Sequence, residues 1–183
     1  SGASSWLNAP ENRERVAAAV GVVERLAPDA VTRSVRVRLG RLPAEAAQLA
    51  RAVAVLGDRA DRERAAVVAD LDRRQVAPAA AALASIDLLN PEPPFSFVHP
   101  LVRNAVYEGI PLREREAAHA RAARVLTELG ATPEQVAAQI LVAPPESVEH
   151  AVSVLREAAR AASVEGGLES AASYLQRALE EPL

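Results

Sequence analysis

Cysteine, methionine and lysine are all absent from this chain of 183 residues, and aromatic side chains make up only 3% of it. Without cysteine there is no disulfide, no thiolate nucleophile and no cysteine-ligated zinc. With one Trp, two Tyr and two Phe, the core has to be built from Ala, Val and Leu, which suits closely packed helices better than a broad sheet. The missing lysine makes every basic residue an arginine, a mark of GC-rich coding and not of phosphate recognition. A net charge of −3 speaks against a dedicated nucleic-acid surface, since such domains are usually clearly basic. No apolar run approaches the roughly 20 residues that a membrane helix needs, and no signal peptide is visible, so a cytoplasmic protein with no membrane contact is expected. Since there is no initiator Met and Ser1-Gly-Ala3 has the look of a cloning remnant, the chain is expected to be a piece of a longer one.

What is present is mainly helical periodicity. After a polar start containing Trp6, Val16, Val20, Val23 and Leu26 mark one face of a segment from Glu11 to Leu26, which Pro28 ends. A second helix is predicted from an Asp29 N-cap through Val31, Val35, Leu39 and Leu42. It carries Arg33, Arg36, Arg38 and Arg41, either an anion-binding stripe or, as such runs more often are, a solvated face paired with neighbouring acids. Pro43 opens a helix with Ala46, Leu49, Ala50, Val53 and Leu56 on one side and Gly57 as terminator. A short helix near Asp61–Leu71 follows, then one capped by Asp72 whose stripe is Val76, Ala80, Leu83 and Ile86. Pro78 lies inside that stripe and either kinks the helix or moves its start downstream. Leu88–Asn90 and Phe95–Val98 bracket the Pro91-Glu-Pro-Pro94 turn as two short strands. Three helices and then a small hairpin is the order of a winged helix.

Beyond Tyr107 the pattern is helical throughout. Pro111 starts a helix with Ala118, Ala122, Val125, Leu126 and Leu129 inward, and Gly130 closes it. Thr132-Pro-Glu-Gln135 reads as a capping box, opening a helix that carries Val136, Ile140 and Leu141 and stops at Pro144-Pro145. Two more helices joined by Gly166-Gly167 follow, with Val148, Val152, Leu155 and Ala159 on the first, and Leu168, Ala171, Ala172, Leu175 and Ala178 on the second. They resemble one unit of a helical-repeat array, which cannot bury both its faces alone. The expected fold is therefore mostly α, a winged-helix domain with a short β-hairpin followed by an α-helical, TPR-like segment. Its divisions are a terminal segment (1–10), linker helices (11–41), the winged helix (42–110) and the helical-repeat segment (111–183).

The most distinctive stretch is Phe95-Ser-Phe-Val-His-Pro-Leu-Val-Arg-Asn-Ala-Val-Tyr107. Period-two alternation passes into helical spacing at Pro100, and His99 sits at the junction. A helix N-terminus attracts anions through its unpaired N–H groups and dipole, and an imidazole there can donate to a phosphate oxygen. Alternatively, His99 simply caps its helix or fills a core corner. Catalysis finds little support: there is no Gly-rich phosphate loop and no His pair at metal-binding spacing, and His99, His119 and His150 fall on different elements. His119, inside a helix, is read as a packing or surface residue. As a DNA reader, the helix after Asp72 offers Arg73, Arg74 and Gln75 and then mostly alanine, which cannot reach base edges.

Phe97-Val-His-Pro-Leu-Val-Arg-Asn-Ala-Val-Tyr107 and the following Arg113–Ala123 run resemble the large ATP-binding regulators of the LuxR type, bacterial STAND proteins related to MalT. Leu39-Gly-Arg-Leu-Pro43 and Ala171–Leu179 are similar to the stretches flanking that motif, so the resemblance covers the chain from about Val31 onward. It implies a middle portion of a regulator whose ATPase core precedes it and whose DNA-binding helix-turn-helix follows it. Residues 11–41 would then be linker helices from the ATPase lid. It also implies a non-enzymatic fragment without its own cofactor, ATP or ADP belonging to the parent, and an inducer or protein partner on the helical arm. By the same resemblance His99 would sense the nucleotide phosphates, as the histidine of a Met-His-Asp signature does; Arg38 and Arg103 are candidates for supporting anion contacts beside it. Pro100 stands where that signature has its Asp, so the Asp's role has no counterpart. A stand-alone DNA-binding winged helix with a helical dimerisation or ligand domain is the alternative.

Overall fold

The computed structural model describes residues 30–57 and 60–182; the segment expected over Glu11–Leu26 and the Asp29 cap lie outside them. Helical residues 30–39 (α1) lead into α2 (Ala44–Leu56). Although one apolar side was expected of α2, Ala46, Leu49, Ala50, Ala52, Val53, Ala54 and Val55 are all buried. Only Ala44, Gln48 and Arg51 leave an exposed edge, so most of the helix lies within the core, and its alanines let neighbours approach from several sides. The helix ends at Gly57, whose φ of 87° suits glycine and whose N–H donates to the Val53 carbonyl at 3.0 Å.

Around α2 pack α3 (Arg62–Ala69) and α4 (Arg73–Ala84). Asp61 caps α3 by accepting the Arg64 N–H at 2.8 Å. Upstream of α4 the Asp72 N–H donates to Gln75 Oε1 at 2.9 Å. The helix starts at Arg73, not downstream, and runs through Pro78. Pro78 is on the exposed face, so the Arg74 carbonyl deprived of its intrahelical donor faces a side open to water.

The hairpin forms as expected but is short. β1 (Leu89–Asn90) pairs antiparallel with β2 (Ser96–Phe97), Leu89 opposite Phe97 and Asn90 opposite Ser96. Phe95, wholly buried, exchanges hydrogen bonds with Ala60 in both directions, at 2.7 and 3.2 Å. This pins the hairpin to the α2–α3 connection. The protein is thus mostly helical, with one small two-stranded sheet among the described residues.

The second half comprises α5 (Pro100–Glu108), α6 (Leu112–Glu128), α7 (Pro133–Ile140), α8 (Ala151–Val164) and α9 (Leu168–Glu180). One apolar cluster gathers α1–α5 and the hairpin together with Ala122 and Val125 of α6. A second takes Ala120, Ala123 and Leu126 of the same helix and joins them to α7 and α8. Helix α6 therefore contributes to both cores. Several apolar residues expected inward lie outside. Leu129 follows the last turn of α6, where the chain swings away at Gly130, and Leu141 follows α7. In α8 the inward stripe is Ala151, Leu155, Ala158, Ala159 and Ala162, which turns Val152 to solvent. No described helix is long and apolar enough to cross a membrane.

Candidate functional site

His99 occupies the N-cap of α5, after the end of β2, in extended backbone with φ −156°. Pro100 at the first helical position has no N–H to satisfy, so the first free donor of the helix is the Leu101 N–H. It donates to His99 Nδ1 at 3.1 Å. An imidazole whose Nδ1 accepts carries its proton on Nε2 in the neutral form, leaving that N–H as the group open to an outside acceptor. The ring is exposed. Capping and an open donor coexist in one side chain.

The two arginines proposed beside it have different surroundings. Arg38 is half-buried on α1 and enters no ion pair among the described residues. Arg103, one turn into α5, instead donates through Nη2 to the Ala54 carbonyl at 2.9 Å. That carbonyl is in the last turn of α2, where acceptors lack intrahelical partners and the dipole favours a cation. No hydrogen bond or ion pair among the described residues links His99, Arg38 and Arg103. Arg33, Arg36 and Arg41 are solvated as expected, but the pairing with neighbouring acids is not seen among the described residues. On α4, Arg73 is engaged at 2.8 Å by Glu63, which neutralises one of the few arms a DNA reader would use.

A polar junction that the sequence reading did not assemble lies between the two apolar clusters. His119 of α6 is only 4% exposed. Its Nε2 is 2.9 Å from the Tyr107 hydroxyl of α5, and its Nδ1 is 2.7 Å from Gln139 Oε1 of α7. Gln139 in turn donates through Nε2 toward the Val55 carbonyl of α2 at 3.5 Å. One proton arrangement satisfies all three contacts: Tyr107 donates to Nε2, Nδ1–H donates to Gln139, and Gln139 donates to α2. Four helices are joined by this chain of donors. The Arg115 guanidinium lies 4.5 Å from the Tyr107 ring centre and donates to the Ile110 carbonyl at 3.1 Å, an arrangement favoured by the ring's negative face. Desolvation lowers the His119 pKa from 6.5, and the Arg115 and Arg103 charges add to the fall; the Gln139 hydrogen bond opposes it. The imidazole is held neutral.

The signal for this junction was present in the spacing. His119 precedes Ala122, Ala123 and Leu126 at core intervals, and Gln139 sits between Val136 and Ile140. A polar residue on an apolar stripe implies a buried partner, but one sequence does not say which. A second buried contact was also missed. Arg177 Nη1 is 2.7 Å from Glu181 Oε1, and Nη2 donates to the Ala143 carbonyl at 3.1 Å. Glu181 Oε2 accepts the Glu146 N–H at 2.8 Å. The end of α9 is thereby tied to the loop before α8. Among the described residues no group of three His, Asp or Glu side chains has metal-binding geometry. No family model, curated protein or solved structure matches the chain.

Proposed function

We propose that this chain is the regulatory segment of a signal-transduction ATPase and transcription regulator of the LuxR type. In this reading the hairpin-bearing half, a winged helix, meets the parent's ATPase core, and the TPR-like half carries an inducer- or partner-sensing arm. A DNA-binding domain elsewhere in the parent is the output. The observation that carries the reading is His99: its Nδ1 is engaged by the helix it caps, while its Nε2 side faces solvent at an anion-favouring helix end. A phosphate held by a neighbouring domain would find there one oriented donor.

The residues present do not fit nucleotide binding by this segment alone. One hydrogen bond to a charged group contributes about 1.5–3 kcal/mol, whereas micromolar affinity requires about 8 kcal/mol. His99 can bias an equilibrium between two arrangements of the parent, and the nucleotide itself must be held elsewhere.

Capping and signalling separate experimentally. His99→Asn retains a side-chain acceptor for the Leu101 N–H and removes the imidazole; His99→Ala removes both. In the full-length parent, both variants should raise basal activity to a similar extent. Basal activity unchanged in His99→Asn but altered in His99→Ala would mean that the residue only caps, and the proposal would fall.

A further inference from the structure

Helices α7, α8 and α9 are joined to the hairpin-bearing half at very few points. The two main apolar clusters meet through α6 and through Leu56, the one side chain before α6 that packs against the second cluster; among the described residues, no apolar side chain of α7, α8 or α9 belongs to the first. Among the same residues a single polar contact joins these helices directly to anything before α6. It is the bond from Gln139 Nε2 to the Val55 carbonyl, at 3.5 Å. Beside it a cleft of about 210 Å³ lies between Ala60, Asp61 and Arg64 on one side and Leu126, Gln135 and Ala138 on the other, room for several waters. Asp61 and Arg64 pair with each other at 3.0 Å and not across it.

Within themselves these helices are firmly bound. Val136 and Ile140 of α7 share a core with Ala151 and Leu155 of α8, and α9 packs on α8 through Ala159, Ala162 and Ala171. Arg177 and Glu181 tie the end of α9 to Ala143 and Glu146 in the loop before α8. The three can therefore move only as one body. Toward this body α6 turns mainly small side chains, Ala120 and Ala123 beside Leu126, and packed helices with such low ridges can slide by small amounts. A unit with its own core and a small contact to its neighbour is expected to shift against it. We propose that α7, α8 and α9 form an arm that turns about α6, opening and closing the cleft toward α3, and that Gln139 is its latch. While Gln139 bridges the His119 ring and the Val55 carbonyl, the arm rests closed. Without that bridge Leu56 is the one direct tie left, and water entering the cleft replaces the lost bond. The device holds whatever the arm senses, and it makes no use of His99.

Because the chain has no cysteine, introduced cysteines carry spin labels at chosen positions only, and double electron–electron resonance on the whole chain tests the motion. Arg62→Cys on α3 with Glu157→Cys on α8 reports across the cleft. Arg62→Cys with Ala81→Cys on α4 stays within the first half, and Glu157→Cys with Ser170→Cys on α9 stays within the arm. All four positions are exposed. Gln139→Ala should add a second, longer component to the α3–α8 distances and leave the other two pairs as they are in the native chain. Should both of those pairs change, the variant has unfolded, and Gln139→Asn is read in its place; it keeps an amide but is too short to reach His119 and Val55 together. An α3–α8 distribution that is the same in variant and native chain would overturn the proposal. So would spreading of the Glu157–Ser170 pair while the Arg62–Ala81 pair holds, since the arm would then be loosening and not turning. None of these results bears on the His99 variants, so the two readings fail separately.

Discussion

His119 shows how one side chain can make a helical junction depend on pH. It is buried, neutral, and bonded through both ring nitrogens. Protonation would place a second donor where the Tyr107 hydroxyl now donates, beside Arg115 and Arg103. Because its pKa is lowered from 6.5 in the folded chain, the unfolded chain binds the extra proton first as pH falls. Stability contributed by the neutral imidazole is therefore complete above about pH 6.5 and declines as pH drops below that value. Urea unfolding at pH 7.5, 6.5 and 5.5 should show a falling midpoint in the native chain and a smaller fall in His119→Gln, which keeps polar atoms but cannot titrate. Equal falls in both would mean that the loss arises from other groups.

At the scale of elements, α4 contains the clearest conflict between local preference and fold. Proline in a helix interior is disfavoured by about 3 kcal/mol relative to alanine, and Pro78 is well inside α4. The helix persists because Val76, Ala79, Ala80 and Leu83 are buried against α2 and the hairpin, which outweighs the loss. Pro78→Ala should restore the bond to the Arg74 carbonyl and, being exposed, disturb no packing. A gain of about 1–3 kcal/mol is expected, seen as a higher melting temperature; an unchanged or lower one would show that the ring is needed where it stands. The position of this helix and of its neighbours was legible from capping residues, proline and apolar spacing, each of which acts within a turn or two. Legibility ended where contacts join distant elements. Leu129, Leu141 and Val152 were misplaced because the turn at Gly130 and the alanine stripe of α8, not hydrophobicity, decide which side faces in. Tyr107, His119 and Gln139 are each visible as polar residues on apolar stripes, but their meeting depends on how α5, α6 and α7 cross. Arg177 and Glu181 are four residues apart, a common surface pairing; only the loop at Ala143 and Glu146 makes it buried.

Across the whole molecule, two helices hold the parts together. Helix α2 is buried on all but the narrow edge of Ala44, Gln48 and Arg51, and α6 supplies side chains to both main clusters, so neither cluster can lose its packing without exposing a face of the other. The outermost helix differs. It is fixed to α8 by a small cluster of alanines with Tyr174, and to the loop before α8 by Arg177, while Leu168, Leu175 and Leu179 are exposed. Local opening free energies range from near zero up to the global value and follow the amount of buried apolar contact. Amides of α2 and α6 should therefore exchange with deuterium only through global unfolding, with the same denaturant dependence in both. Amides of α9 should exchange through a smaller opening that depends weakly on denaturant. If α9 is as protected as α2, the alanine contacts and the Arg177–Glu181 tie hold it more firmly than its buried surface implies. Those exposed leucines would then belong to a rigid part of the described structure and not to its most easily opened one.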